Sequence, residues 1–492
     1  MFLGVDVGTF ETKAVLVDET GAVRGSASRR HGLSTPRPGH VEHDAEAVWW
    51  ADLTTVCRDL MARGLGPVDA MGVSAIGPCI LPVDAQLRPL RPAILYGIDT
   101  RAADQVDGLQ RRLGREEVIA RTGNVLTSQS AGPKIAWLRD EEPDIWRDAR
   151  WFLTSQSWLV ARLTGQVVID HATAGYFHPL YRLAEQRWDL TGCEDVVDEA
   201  RLARLAWSGE IAGRVEADAS AATGVPPGTP VVVGTTDSPA EAVGSGVVGE
   251  GELMAMYGSS SYHVRVGGAP MVRPALWAAP FVFPGTSVLA AGTSTAGTAT
   301  RWAVDLLGLT GDDAEVFGQL LELAQQAPSG SDGVLFLPHL AGERTPVQDP
   351  SSRGVLAGLG LQHGRPHVAR AILEGVAHSV AHALSAYDDA GASIRTITAV
   401  GGLTRNPIVM SAVSALTGLD QRVATTSGAS LGDAILAALA VGALPDPHAS
   451  RAWVTFGQPV VAKADSRLAA AHADYVALYR ALADWQHARS DR

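Results

Sequence analysis

The chain has 492 residues, 46% of them hydrophobic, and carries a formal net charge of −13. This length exceeds what a single hydrophobic core supports, so we expect two or more domains. The acidic balance argues against nucleic acid or a membrane surface as a partner, because both require a basic footprint. No apolar run approaches the ~18–20 residues of a membrane-spanning helix.

The three cysteines, Cys57, Cys79 and Cys193, are odd in number and far apart in the sequence. A disulfide framework is therefore not expected, and the expected compartment is a reducing cytoplasm. The chain opens directly on MFLGVDVGT, without the basic stretch and cleavage site of a secretory signal, so we expect no signal peptide.

The N-terminal segment predicts a strand, a glycine turn and a β-hairpin. FLGVDV is a short apolar run, GTFETK follows it, and AVLVDETGAVRGSASR turns at residues 19–21. Residues 44–63 predict a helix with Asp44 as its N-cap and apolar residues on one face. AMGVSAIGPCILPVD returns to strand, and residues 134–165 have a mostly helical pattern.

A similar local pattern returns near the middle of the chain. GELMAMYGSSSYHVRV, residues 251–266, again predicts a strand, a Gly-Ser turn and a strand. The small residues of GSGVVGEGE, at 244–252, mark the expected domain junction. Beyond them the strands VLFLP, ITAVGG and QRVATT alternate with helices, and apolar residues recurring every four positions predict a buried face on helix 367–387.

This pattern divides the chain into three expected segments. Residues 1–246 and residues 247–445 are two α/β halves of roughly equal size, each with a glycine hairpin near its start, and we expect a cleft between them. Residues 446–492 are rich in Ala and Arg and predict a terminal helical layer.

Each glycine hairpin contains residues that can face a phosphate. In VDVGTFETK, Asp6 ends a strand and can hold Mg²⁺, usually through water, while the Gly-Thr turn and Lys13 follow. An ordinary β-hairpin with Gly in its turn is the alternative, since short Gly-Thr motifs are weak evidence. The second hairpin, MYGSSSYH, favours the phosphate interpretation, because two such turns can hold a polyphosphate chain from both sides.

The segment ITAVGGLTRNP has the features of a nucleotide contact. Gly401 and Gly402 end a buried strand and allow a flat ring or a ribose to approach the backbone. Asn406 offers a donor and an acceptor to a base edge. The alternative is a tight turn that caps the helix PIVMSAVSALTG, and the sequence does not choose between the two.

The segment GTTDSPAEAVGSG follows the strand signal VVV and contains Asp237 among small residues. A carboxylate without a basic neighbour in sequence, with space around it, suits a general base. The alternative is a helix N-cap, because Asp237 and Pro239 are also typical of the start of a helix.

Taken together, these segments resemble the FGGY carbohydrate kinases, which belong to the actin-like, RNase H-fold phosphotransferase superfamily. The resemblance runs from about residue 2 to about residue 445. It rests on a series of motifs in order: GVDVGT, RPGHVEHDAEAVWW, ILYGIDTRA, PKIAWLRDEEPDIW, GTTDSPAEAVGSG, MYGSSS, GTSTAGTATRW, LPHLAGERTP, RGVLAGL, LEGVAHS and AVGGLTRNPIVMSAVSALTG. It implies an α/β fold of two actin-like (RNase H-like) ATPase domains around a deep interdomain cleft.

The resemblance also implies a function. The expected enzyme is a cytoplasmic, ATP-dependent kinase of a small sugar or polyol (a ketopentose, an alditol or a sugar acid), with a homodimer as a candidate assembly. Asp237 is implied as the catalytic base, which takes the proton of the attacking sugar hydroxyl, and Asp6 as the residue that organises Mg²⁺. The implied contacts of ATP and its phosphates are Thr9, Lys13, Gly258, Ser259, Gly297, Gly401, Gly402 and Asn406.

The sequence departs from the xylulose kinases in the strand that lines the sugar. Those enzymes carry Gly-Gln-Met-His there, whereas this chain has Ile76, Gly77, Pro78 and Cys79. The polar His contact is absent, which makes xylulose doubtful as the substrate. Gly77, Pro78 and Cys79 are nevertheless expected to line the sugar site together with Asp237.

Asp99 and Arg101 keep the family's Asp-x-Arg spacing. They could contact a sugar hydroxyl or only brace the wall of the site, and both interpretations stay open. Glu374, His378 and His382 are four residues apart on one helix face, which suits a metal. The preferred interpretation is a partly exposed helix face with a structural Glu.

Three alternative functions remain open at this point. The acceptor could be a non-pentose such as a tetritol. An actin-like chaperone or filament protein would use ATP without phosphorylating a small acceptor. A catalytically weak sugar sensor is the third alternative, against which the intact Asp6, Asp237 and Ser259 argue.

Overall fold

The computed structural model describes residues 1–490. In chain order, the strands of the N-terminal half are β1 (Phe2–Val7), β2 (Glu11–Val17), β3 (Val23–Arg30), β4 (Glu42–His43), β5 (Ala70–Ala75), β6 (Leu81–Val83), β7 (Ala93–Ile94), β8 (Trp151–Leu153), β9 (Val168–Asp170), β10 (Tyr181–Arg182), β11 (Arg187–Trp188), β12 (Arg204–Ala206), β13 (Ile211–Arg214), β14 (Pro230–Val232) and β15 (Thr235–Thr236). Those of the C-terminal half are β16 (Glu252–Tyr257), β17 (Ser261–Gly267), β18 (Trp277–Pro280), β19 (Ser287–Thr293), β20 (Leu335–Leu337), β21 (Val355–Ala357), β22 (Thr396–Val400) and β23 (Gln421–Val423).

The helices are α1 (Ala51–Ala62), α2 (Ala103–Leu113), α3 (Arg115–Thr122), α4 (Ala131–Glu141), α5 (Pro143–Asp148), α6 (Ser155–Thr164), α7 (His171–Ala174), α8 (Ala217–Thr223), α9 (Asp237–Gly244), α10 (Gly297–Leu306), α11 (Asp313–Gln325), α12 (Arg365–Asp389), α13 (Pro407–Thr417), α14 (Ala429–Ala440) and α15 (Ser466–Ser490). The sequence predicts mostly helix for residues 134–165, and the short strand β8 interrupts that run.

Two mixed sheets with the same central arrangement form the cores of the two halves. The first sheet has the order β13-β14-β5-β1-β2-β3, with β15 also paired to β5, and the second has the order β18-β19-β17-β16-β22-β23. In the first sheet, β1 is antiparallel to β2 and parallel to β5, and in the second, β16 is antiparallel to β17 and parallel to β22. The predicted repetition of the glycine hairpin is therefore confirmed.

The predicted helices at 44–63 and 367–387 are also confirmed. Asp44 caps the first by accepting a hydrogen bond from the backbone N–H of Ala47 at 2.8 Å. One π-helical turn, Ala45–Trp50, precedes α1. The second helix is α12, whose apolar face is buried.

Helix α14 belongs to the C-terminal half by sequence but packs against the first sheet and α9. Its backbone comes close to theirs because the facing residues are glycines. A Cβ on Gly4 would lie 1.9 Å from the carbonyl oxygen of Ser430, and one on Gly72 would lie 2.2 Å from that of Asp433. A shared apolar cluster also joins β1, β16 and α14. The two halves are thus connected by a helix as well as by the chain.

A pair of reciprocal hydrogen bonds joins the halves elsewhere. The side-chain nitrogen of Asn124 donates to the carbonyl oxygen of Ala278 at 2.7 Å, and the Ala278 N–H donates to the Asn124 side-chain oxygen at 2.9 Å. Helix α15 covers α12 and β20, as expected of a helical tail, although residues 491–492 of the predicted tail lie outside the described residues. No helix within residues 1–490 is both long and apolar enough to cross a bilayer.

The contact between α14 and α9 generates a stability prediction. In the Gly432→Ala variant, the new Cβ lies 1.8 Å from the carbonyl oxygen of Ala240. Because both partners are backbone, the helices must separate, and we expect the free energy of unfolding to fall by roughly 1–3 kcal/mol or more. Urea unfolding measures the change.

The matched control is Gly108→Ala in α2, where nothing lies within 4 Å of the new Cβ. Ala is the better helix former, so this variant should gain up to about 1 kcal/mol. A Gly432→Ala protein as stable as the wild type would contradict the close packing of α14.

Candidate active site

Three neighbouring strands of the first sheet, β1, β5 and β15, end at the same edge, and residues at or just beyond these ends form the candidate site. Asp6 on β1 pairs in parallel register with Ser74 on β5. On the other side of β5, Thr236 of β15 pairs in parallel register with Ala75. Because parallel strands point the same way, Asp6 and Asp237 come together at this edge although they are far apart in the sequence.

Asp237 is the first residue of α9 rather than its N-cap, which is Thr236. Its Oδ1 accepts a hydrogen bond from the backbone N–H of Ser238 at 2.8 Å. The side chain is partly exposed. Burial of the carboxyl raises its pKa to about 6, and backbone N–H groups oppose that rise. Such a carboxylate is mainly ionised at neutral pH and is still basic enough to accept a proton.

The other half faces Asp237 through β17. Burial raises the pKa of the Tyr262 phenol, and hydrogen bonds with Ser238 and Tyr176 act in the opposite direction. Tyr262 therefore reaches from the second sheet to the residue that follows Asp237. The carboxylate lies where the two halves meet.

Carboxylates surround the edge of the first sheet with little positive charge to offset them. Burial raises the pKa of Asp6, and the charges of Asp237 and Glu241 raise it further. Burial and Asp237 raise the pKa of Glu241 to about 7, whereas Lys13 lowers it. Burial also raises the pKa of Asp433. This concentration of acidic groups favours a cation.

The donor set fits Mg²⁺ bound in the manner usual for nucleotide enzymes. No three His, Cys, Asp or Glu side chains within residues 1–490 are arranged to enclose a metal ion. Mg²⁺ normally keeps several waters and binds one or two carboxylates together with substrate phosphates. Asp6, partly exposed at the end of β1, suits that kind of contact.

The two predicted phosphate loops have different supports. In the first, the Thr9 hydroxyl lies 3.3 Å from that of Tyr96, and the exposed Lys13 ammonium lies 3.4 Å from Glu11. In the second, Ser259 is exposed, and the start of α10 holds the loop from behind.

Gly297 is part of that support. Its N–H donates to the carbonyl oxygen of Gly258 at 2.9 Å, and a Cβ at this position would lie 2.7 Å from the same oxygen. The close approach of Gly297 to the second predicted phosphate loop explains why a glycine stands there.

At the predicted nucleotide contact, the turn after β22 combines a structural glycine with an open one. Gly401 has a φ of +98°, and its Cβ would lie 2.5 Å from the Tyr257 carbonyl oxygen. Gly402 has nothing within 4 Å of a Cβ. Asn406 caps α13, since its Oδ1 accepts from the N–H groups of Ile408 and Val409 at 3.1 and 3.2 Å.

The capping interpretation of this turn is therefore confirmed, and the open side of Gly402 leaves space for a ligand as well. A cavity of about 360 Å³ lies next to this turn, and Arg405, Met410 and Ser411 are among its lining residues.

The predicted sugar wall has one residue near the surface and two behind it. Gly77 is partly exposed, and a Cβ there would lie 2.3 Å from Cγ2 of Thr236, so glycine lets the two strand ends pack side by side. Pro78 and Cys79 are buried. Burial raises the pKa of the Cys79 thiol to about 12, which makes it unreactive.

Asp99 and Arg101 bond to each other behind the wall. The Arg101 Nη2 lies 2.7 Å from Asp99 Oδ2, and the two side chains are 1% and 0% exposed. Asp99 also accepts from the N–H of Val41 at 2.6 Å, and the Arg101 guanidinium lies over the ring of Trp137. These contacts support the bracing interpretation.

On the face of α12 that lies beside α15, Glu374 and His378 are buried and His382 is partly exposed, so the expectation of a partly exposed face holds at His382 and is wrong for the other two. Glu374 accepts from Arg370 at 2.6 Å and is a structural residue, as expected. The His378 ring stacks on that of His472, with ring centroids 5.2 Å apart. The sequence could not show this cover, because α15 lies far along the chain.

Sequence reasoning missed Ser74, Glu241 and Asp433. Asp433 could have been found from the sequence, because it is the only charged residue in the apolar helical run SLGDAILAALA. A buried carboxylate in such a run needs a polar partner.

Two protein-family models match this chain and identify its family. The N-terminal domain of the FGGY family of carbohydrate kinases matches residues 1–244, and the C-terminal domain matches residues 253–441. The chain belongs to this family.

Individual relatives agree with the assignment to the FGGY kinases. The xylulose kinase of Escherichia coli (strain K12) is 32% identical over 448 residues, which cover 89% of this chain and 90% of that one. The gluconokinase of Bacillus subtilis (strain 168) is 26% identical over 82% of this chain and 80% of that one. The crystal structure of xylulose kinase from Rhodospirillum rubrum matches with a TM-score of 0.93 at 27% identity, covering 99% of both chains.

As an FGGY kinase, the chain is a phosphotransferase whose acceptor is an alcohol group of a sugar or polyol, and ATP is its other substrate. The predicted two-domain α/β fold of the actin-like type is confirmed. The family favours this activity over the alternatives of a chaperone or a filament protein.

The pKa of Asp237 generates a prediction about pH. If this carboxylate must be ionised to act, kcat/KM for the sugar should fall as the pH drops through about 6 and stay level above it. Steady-state kinetics across this pH range would show the acidic limb.

The control is Glu241→Gln, which removes the other partly exposed carboxyl whose pKa lies near neutrality. The acidic limb should persist in this variant, since the carboxyl of Asp237 still titrates. A limb that disappears with Glu241 would show that Asp237 is not the group whose titration controls the rate.

Proposed function

We propose that this enzyme transfers the γ-phosphate of ATP to a hydroxyl of a small sugar, polyol or sugar acid, with Asp237 as the general base. The observation that carries the proposal is the placement of Asp237 at the start of α9. Its carboxylate is partly exposed where the two halves meet, and within residues 1–490 no cation contributes to its pKa. A base paired with Lys or Arg would be a weaker proton acceptor.

In the proposed reaction, the sugar hydroxyl donates a hydrogen bond to the Asp237 carboxylate. The hydroxyl oxygen attacks the γ-phosphorus as its proton passes to Asp237, and the bond from that phosphorus to the bridging oxygen of ADP breaks. The proton leaves Asp237 to solvent after the sugar phosphate departs. Asp237 therefore both orients the nucleophile and removes its proton.

We propose that residues 1–246 bind the sugar and residues 247–445 the nucleotide, in a cytoplasmic enzyme. Thr9 and Lys13 would hold the phosphate chain from one side and Ser259 from the other. Asp6 would hold Mg²⁺, which neutralises phosphate charge when bound. Gly402 would let the adenosine approach the backbone.

The decisive test is Asp237→Asn. A purely structural role at the start of α9 predicts a nearly silent change, because the side-chain oxygen of Asn can still accept the Ser238 N–H. Loss of the base predicts a fall in kcat of roughly 10²–10⁴-fold, with little change in ATP affinity. The measurements are steady-state turnover, calorimetric ATP binding and a thermal melt.

The matched control is Asp218→Asn, an exposed Asp in the first turn of α8. It makes the same chemical change at a helix start remote from the site and should leave turnover unaltered. An Asp237→Asn enzyme that melts normally and keeps more than about a tenth of wild-type turnover would rule out the general-base role.

The predicted sugar wall supports a proposal about the substrate. Where xylulose kinases carry Gly-Gln-Met-His, this chain has the buried Pro78 and Cys79, so the hydrogen bond of the His to the sugar is missing. We expect D-xylulose not to be the best substrate, in spite of the identity with xylulose kinases.

A screen of ADP production over ketoses, alditols, aldonates, lactones and tetritols tests this expectation, with reactions lacking an acceptor as the control. A kcat/KM for D-xylulose above that of every other compound would overturn it. A tetritol with the highest kcat/KM would favour the non-pentose alternative.

A further inference from the structure

The inference concerns Asp433, a fully buried carboxyl on α14 that faces the site from behind. Helix α14 lies over β1 and β5, and the glycines that permit this contact, Gly4 and Gly72, each precede a site residue by two positions. Alternate residues of a strand point to the same face. The side chains of Asp6 and Ser74 therefore point to the face that α14 covers.

One hydroxyl connects two acids at this place. The Ser74 Oγ lies 2.7 Å from Asp433 Oδ2 and 3.2 Å from Asp6 Oδ1. Ser74 is itself fully buried. Asp433 Oδ1 has no hydrogen-bond partner within residues 1–490.

A count of hydrogens fixes the direction of these bonds. A serine hydroxyl carries one proton and can donate to only one of the two carboxyl oxygens. The other contact needs a proton from the carboxyl side. Asp433 is the more enclosed acid and has a bare second oxygen, so an ionised form would be costly there. Burial and nearby carboxylates raise the pKa of Asp433 and of Asp6 alike, so it is the unpartnered Oδ1 of Asp433 that places the proton there. Asp433 then donates to Ser74 Oγ, and Ser74 donates to Asp6.

We propose that Asp433 is a positioning residue that orients the carboxylate of Asp6 through the Ser74 hydroxyl. The inference rests on the proposed role of Asp6 toward Mg²⁺. With the chain of hydrogen bonds intact, Asp6 presents its remaining oxygen to the cleft in one orientation. Without it, the Asp6 side chain can rotate, and contact with the hydrated cation becomes weaker.

The test uses four variants of the full-length protein: D433N, D433A, S74A and D6N. The amide nitrogen that D433N introduces can donate to Ser74 Oγ as the protonated acid does, so this variant should stay close to wild type. D433A and S74A each break the chain of hydrogen bonds and should raise the Mg²⁺ concentration for half-maximal activity by about tenfold or more, the usual effect of losing a residue that supports a metal ligand. Their KM for the sugar should not change.

Two readouts do not depend on turnover. Calorimetry of ADP binding with and without Mg²⁺ should show the loss for D433A and S74A only in the presence of Mg²⁺. Difference infrared spectra of wild type against D433N should show the carbonyl band of a protonated carboxylic acid. A double variant, D433A/S74A, should be no worse than S74A, because both changes break one chain of hydrogen bonds.

The outcomes separate this inference from the proposed function. Unchanged Mg²⁺ dependence in S74A and D433A would reduce Asp433 to a packing residue. D433N as impaired as D433A would mean that the negative charge, not the proton, is required. If D6N itself leaves Mg²⁺ dependence unchanged, the proposed role of Asp6 fails first. If D433A does not fold, the Mg²⁺ dependence of S74A and of D433N, each compared with wild type, still tests the inference.

Discussion

The close backbone contact of α14 with α9 and the first sheet is the constraint on which the site depends. Glycines face carbonyl oxygens at each crossing, so that a Cβ on Gly244 would lie 2.2 Å from the Gly428 oxygen. Such contacts hold elements at a fixed separation, because backbone cannot rearrange as a side chain can. The start of α9, and with it Asp237, is therefore set against the ends of β1 and β5.

The electrostatics of the site follow from this packing. Asp6, Asp237 and Asp433 all have raised pKa values, chiefly because the elements that carry them exclude water. The charge of Asp237 also raises the pKa of Asp6 and of Asp433, since a nearby like charge disfavours ionisation. The same crowding of acidic groups favours the binding of a cation and the acceptance of a proton.

Local sequence signals predicted much of the fold but not the contacts between distant segments. The two glycine hairpins, the Asp44 cap and the buried face of α12 depend on neighbours in sequence, and all are confirmed. The cover that α15 places over His378, and the approach of Asp433 to Ser74, join segments roughly 90 and 360 positions apart. No local pattern encodes such distances, so the first was misjudged and the second was missed. Asn406 shows an intermediate case, in which the alternatives were known and geometry chose the cap.

The burial of the three native cysteines has a practical consequence. Cys57, Cys79 and Cys193 are all free and 0% exposed, and burial raises the pKa of each thiol. Because the thiolate is the reactive form, maleimide dyes should label them slowly in the folded protein. A single exposed cysteine introduced on each half would then be labelled selectively, with the three native cysteines still in place. The distance between the two halves could then be measured by fluorescence, with and without ligands, without first removing any native residue.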